Sequence, residues 1–130
     1  MTLVVTNSAK QQALSYLVGY DSTVENLKLK LYSNNYTPDA TSVVAQFTEV
    51  TGGGYAEKTL TGSSWNPSTN SITYPQQTWT FTGSAGNVYG YYVILDTSGT
   101  LMFAEKFDGG PYNISTSGDI IRVTLSLNAL

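Results

Sequence analysis

The sequence predicts a mainly β protein: an antiparallel β-sandwich or jelly roll of about eight strands with one short amino-terminal helix. Three observations carry this expectation. Apolar residues recur with a helical period before residue 19 and with period two from residue 27 onward. Charged residues are only 12% of the chain while hydrophobic ones are 41%, and the difference is filled by Thr, Ser, Gly and Asn alongside ten tyrosines. That mixture favours strands and turns over helices. Finally, clusters of Gly, Pro, Asn and Asp interrupt the apolar runs at intervals suited to a sandwich. The 130 residues form one domain, large enough to bury its own core, with an arm and helix over 1–20 and a β-rich body over 26–127. No repeat or linker divides it.

In chain order, Ser8 with Gln11 three residues later reads as a capping box, and residues 9–18 as a helix closed by Gly19. Its apolar stripe is Ala13, Leu14, Leu17 and Val18. Residues 27–32, in which Leu27, Leu29 and Leu31 alternate with Lys28 and Lys30, are the first clear strand, the lysines marking a solvated face. Further strands are expected at 44–50, 55–60, 71–74, 77–82, 88–95, 101–107 and 119–127. In the last, Ile121, Val123, Leu125 and Leu127 share a face opposite Ile120, Arg122, Thr124 and Ser126; Gln77, Trp79 and Phe81 likewise share one. Residues 89–95 are apolar on both sides, as in a central strand covered twice. Residues 39–43, 52–54, 62–69 and 108–118 read as exposed connections, where recognition is usually placed.

Composition removes most chemistry. The chain has no histidine and no cysteine, hence no unperturbed group titrating near pH 7, no soft metal ligand and no thiolate. A net charge of −3 with six basic residues, of which Arg122 is the only arginine, argues against nucleic acid, whose phosphates need clustered cations. No apolar run reaches membrane-spanning length. Residues 1–5 lack the positive charge and length of a secretory leader, so synthesis in the cytoplasm is expected and the sequons at Asn35 and Asn113 are read as chance.

Three constellations remain for chemistry. Glu49, Glu57 and Glu105 could supply the carboxylate pair of a glycosidase, the hydrolytic mechanism that needs no histidine; surface carboxylates on a Gly-rich hairpin are the commoner case, and no enzyme is expected. Asp108 and Asp119 around Gly109 and Gly110 could offer oxygens to calcium, but lack the spacing of a calcium loop, so neither metal nor cofactor is expected. Gly52, Gly53 and Gly54 lie between strands without a following Lys and Ser/Thr, so they read as a turn and not a phosphate loop. The surplus of aromatic and hydroxyl side chains suits adhesion. Tyr36, Tyr55, Trp65, Tyr74 and Tyr112 sit in or beside loops and are the candidate partner contacts, as anchors for a protein or platforms for a sugar.

Residues 29–38 (LKLYSNNYTP), 47–55 (FTEVTGGGY) and 74–83 (YPQQTWTFTG) resemble small structural proteins encoded near the head genes of tailed bacteriophages, including cyanophages. The resemblance spans roughly residues 27–95, and it implies a capsid decoration, or cement, protein. Such a protein binds the major capsid protein on the outer surface of the assembled virion shell, as a homodimer or homotrimer at a symmetry position. The segment 1–7 could then pair with a neighbouring sheet edge. A tail or baseplate component, or a receptor-binding carbohydrate-recognition module, is the alternative expectation. Tyr36, Trp65 and Tyr112 clustered on one face would favour it.

Overall fold

The computed structural model describes residues 3–19 and 25–128. The chain is mainly β, with one α-helix near the amino terminus and antiparallel sheets stacked as a sandwich. Among the described residues the expected eight or so strands are twelve shorter ones. A large sheet has the order β1 (Val4–Val5), β9 (Leu101–Lys106), β8 (Gly90–Leu95), β2 (Leu27–Tyr32), β3 (Lys58–Leu60). Facing it are three small antiparallel units: β6 (Gln77–Thr80) with β11 (Ile120–Val123), β7 (Gly86–Val88) with β10 (Tyr112–Ile114), and β4 (Asn66–Ser68) with β5 (Ser71–Thr73) and β12 (Ser126–Asn128).

Period-two alternation builds the main core. Leu29 and Leu31 of β2 and Tyr91 and Val93 of β8 meet Trp79, Phe81, Ile121, Val123 and Leu125 from the opposite layer, all buried. Every residue of β8 is buried, as expected of a strand covered on both faces. Tyr92 and Ile94 point the other way, joining Tyr32, Leu101 and Ala104 beneath Phe47. That second layer is not a strand. Residues 44–50 were expected to be one, but Val44–Gln46 form a single turn of 3-10 helix and only Glu49 bridges to Tyr32. The segment acts as a lid, because Phe47 stacks on Tyr92 with centroids 4.7 Å apart and meets Tyr32 edge-on at 4.9 Å.

Gly90 explains how a tyrosine fits there. A Cβ at this position would overlap the Glu105 carbonyl oxygen and lie 2.7 Å from the Tyr32 ring. The expected strands 88–95 and 119–127 are each broken in two, at Tyr89 and at Thr124 and Leu125, where the chain passes from one pairing partner to another. The expected loops 62–69 and 108–118 contain β4 and β10. β4 is Asn-Pro-Ser, with no apolar residue to alternate except proline, and β10 is only Tyr-Asn-Ile, so each is too short for periodicity to signal it.

At the amino terminus the arm does not wait for a neighbour: Val4 and Val5 pair with Ala104 and Phe103 of the same chain. Helix α1 (Asn7–Leu17) starts two residues before the expected start, because its cap is Thr6 and not Ser8. The buried Thr6 hydroxyl donates to the Leu101 carbonyl at 2.7 Å and accepts from the Ala9 N–H at 3.1 Å. This joins the helix start to β9. Gly19, at φ 74°, closes the last turn as expected.

Candidate functional site

The way α1 docks determines which apolar residues are left for a partner. With Val4 and Val5 held on β9 and Thr6 bonded to two β9 carbonyls, the helix has no freedom to choose its face. It turns Ala9 onto Leu95 and Met102. The large residues of the apolar stripe face out: Leu14, Leu17 and Val18 are 62%, 79% and 75% exposed. Leu14 and Leu17 on the eleven residues of the helix and Val18 at its C-cap, with no acidic residue in the first turn and no basic one in the last, form an unusual solvent face. A groove of about 300 Å³ runs along one side of α1 at the open end of the sandwich, between Ala13 and Tyr16 on the helix and Leu60, Trp65 and Phe103 on the body. A shallower one of about 180 Å³ flanks the other side, over Val5, Phe103 and Leu127. The helix thus rests on one small buried residue, Ala9, with apolar grooves beside it.

Sequence reasoning named the stripe but not the side to which it turns. The signal that could have found it is the small Ala9 in the first turn, directly after a β-branched run that can pair as a strand.

Of the five candidate aromatics only Trp65 and Tyr74 are in ring contact with each other. Tyr74 is buried, 6% exposed, and its hydroxyl accepts from the Thr61 N–H at 3.0 Å, so it is a structural residue and not a contact. Tyr55 is half-buried, stacks near Trp79, donates to Glu49 at 2.8 Å and accepts from the Leu31 N–H at 3.2 Å. Tyr36 is half-buried edge-on to Phe47, with its hydroxyl 2.6 Å from that of Ser42. Trp65 is half-buried edge-on to Tyr74 and forms the far wall of the groove beside α1. Only Tyr112, 44% exposed against Phe107, is open to solvent. Tyr36, Trp65 and Tyr112 rest on three different neighbours, Phe47, Tyr74 and Phe107, and among the described residues no ring contact joins any two of the three. The polypeptide consumed these rings at the ends of the core, where a strand gives way to a turn and a large side chain closes the gap.

The carboxylates are engaged in structure. Glu49 binds Tyr55 and sits 3.4 Å from the Lys30 ammonium. Glu57 pairs with Lys28 at 2.9 Å, and Glu105 accepts from the Tyr91 hydroxyl at 2.7 Å. Lys28 and Lys30, expected on a solvated face, are half-buried and ion-paired. Asp119 accepts from the N–H groups of Ser115 and Thr116, bonds that hold its carboxyl below the usual range. Among the described residues no group of three or more acidic side chains is placed to hold a metal ion. Gly52, Gly53 and Gly54 all have positive φ and form a turn whose Gly53 carbonyl accepts from the Thr82 N–H at 2.9 Å; a Cβ on Gly53 would lie 2.7 Å from the Gly83 carbonyl oxygen. No helix among the described residues is long and apolar enough to cross a membrane.

No protein-family model, curated protein or solved structure matches the chain. The functional reading therefore rests on the geometry and on the sequence motifs.

Proposed function

We propose that this chain is a virion structural protein of a tailed phage, binding the outer surface of the assembled capsid and holding joints between major capsid protein subunits. The observation that carries the reading is the outward apolar face of α1, with Leu14, Leu17 and Val18 in solvent beside an unfilled groove walled by Trp65. A helix face of this kind is suited to lie against a preformed groove or ridge on another protein. The motifs at 29–38, 47–55 and 74–83, which resemble phage head proteins, give the partner its class. They supply β2 and the tyrosine that seals it, the glycine turn, and β6 with Phe81, which is the rigid scaffold behind the helix.

Binding only to the assembled shell would stabilise it by mass action, since a ligand favours the state that holds it. Several weak contacts from a dimer or trimer at a symmetry position would add through effective concentration. Catalysis plays no part in this reading, and the carboxylates it would need are held by Lys28, Lys30, Tyr55 and Tyr91. The test is co-sedimentation of the purified protein with undecorated shells. Leu14→Asp combined with Leu17→Asp should weaken binding by about 2 kcal/mol or more, roughly thirty-fold, while leaving the fold intact because both side chains are exposed. Undiminished binding by the double variant would remove α1 as the contact, and binding to tails in place of shells would remove the capsid assignment.

A further inference from the structure

A second surface, away from α1, has the make-up of a small-molecule site. The turn after β9 leads through Gly109 into β10, and β11 runs opposite. Between them lie two adjoining depressions of about 270 and 200 Å³ that share Phe107, Tyr112 and Arg122. Together they reach the lower end of ligand-site volumes, ~300 Å³. The floor is aromatic: the Tyr112 ring tilts against Phe107 with centroids 5.3 Å apart, and Tyr112 and Ile120 are each 44% exposed. Gly109 permits this shape, since a Cβ there would lie 3.0 Å from the Tyr112 hydroxyl.

The rim is polar. Glu105 and Asp108 line it, Glu105 using one oxygen, Oε1, on the Tyr91 hydroxyl. Arg122, the only arginine in the chain, lines both depressions and, among the described residues, has no ion-pair partner and no side-chain hydrogen bond. An arginine that lines the same depression as two carboxylates and is ion-paired to neither presents its fork of donors to whatever enters. An aromatic platform ringed by a guanidinium and carboxylates matches a pyranose. The sugar's C–H face lies on the ring, and its equatorial hydroxyls donate to the carboxylates and accept from the arginine. One cation beside two anions favours a neutral sugar over an acidic one, whose carboxylate would meet Glu105 and Asp108.

We propose that the cleft between Tyr112 and Arg122 binds a neutral hexopyranose, as a free sugar or the end of a glycan chain. The proposal stands on this cleft alone and does not depend on which virion part the protein occupies. The test is titration of the isotope-labelled full chain, followed by amide chemical shifts, with methyl glycosides of glucose, galactose, mannose and N-acetylglucosamine and, in parallel, with N-acetylneuraminic acid. At least one neutral glycoside should saturate in the millimolar range and move amides of residues 105–112 and 120–124. Tyr112→Ala and Arg122→Ala, both at exposed positions, should each weaken it about ten-fold with the remaining spectrum unchanged. Arg122→Lys, which keeps the charge but loses the fork, should fall between. Absence of saturable shifts with all four neutral glycosides, saturation only by the acidic sugar, or equal affinity in Tyr112→Ala and Arg122→Ala would each overturn the assignment.

Discussion

Replacing Tyr55 by Phe removes one oxygen, and the structure fixes what that oxygen does. Strand β3 covers β2 only from Leu27 to Leu29. Beyond it the edge of β2 is closed piecemeal: the Leu31 carbonyl accepts from the Val50 N–H at 3.0 Å, and the Leu31 N–H donates to the Tyr55 hydroxyl at 3.2 Å. A phenol thus stands where a neighbouring strand would be. Leu31 is fully buried at 0% exposure, so Tyr55→Phe leaves a buried N–H with no acceptor, at a cost of ~1–3 kcal/mol. Losing the bond to Glu49 adds little, because that carboxylate keeps Lys30. The ring and its stacking on Trp79 remain, so no cavity term enters. The expected destabilisation is about 2 kcal/mol, a fall in Tm of roughly 6–10 °C for a chain of this size. Thermal and urea unfolding read the stability, and hydrogen exchange should show the Leu31 amide losing protection before its β2 neighbours. A Tm within about 1 °C of the parent, with the Leu31 amide protected as before, would refute the sealing role of the phenol.

Other perturbations follow from the same geometry. Burial raises the Tyr32, Tyr55, Tyr91 and Tyr92 phenols above their ordinary value; their contribution is complete below the unfolded pKa of ~10 and is lost above it, so unfolding midpoints should hold level from neutral pH to about 9 and fall beyond. At the other end, Asp39 and Asp119 titrate low because Thr41 and Thr116 donate to them, so the stability they add is present above ~4 and lost as pH falls below it; an acid midpoint unmoved in Asp119→Asn would contradict this. Gly90→Ala drives a methyl group against the Glu105 carbonyl and the Tyr32 ring, neither of which can retreat, and should cost about 3 kcal/mol or leave the chain unable to fold, measured by urea unfolding. Thr6→Val keeps the shape but removes the hydroxyl that ties α1 to β9, so helix α1 should exchange its amides faster while the sandwich midpoint drops by ~1–2 kcal/mol.

What could be read from the sequence divides along physical lines. Strands whose faces differ in polarity announced themselves: Ile121 and Val123 face in, Ile120 and Arg122 face out, and β8 is buried on both sides as its unbroken apolar run implied. Segment 44–50 misled because Val43, Val44, Phe47 and Val50 alternate imperfectly, and only Phe47 and Val50 are buried. There the phenyl ring covers the outer face of the sheet, a tertiary demand that no local pattern encodes. The helix shows the same limit in reverse. Its apolar stripe was visible, but the face that docks was selected by Thr6 and the β1–β9 pairing ninety-odd residues away in sequence. Of the candidate contacts, Tyr55 and Tyr74 were indistinguishable from Tyr112 by position beside a loop. What separates them is whether a backbone N–H, of Leu31 or of Thr61, needs their oxygen.

The most direct test of the functional account is to see where the protein sits on the particle. Undecorated shells and detached tails incubated with the purified chain, then imaged by electron cryo-microscopy, should show added density on the outer shell at joints between capsid subunits. That density should orient α1, with Leu14, Leu17 and Val18, toward the shell. Density confined to tails or baseplates, or shell-bound density with α1 turned to solvent, would contradict it.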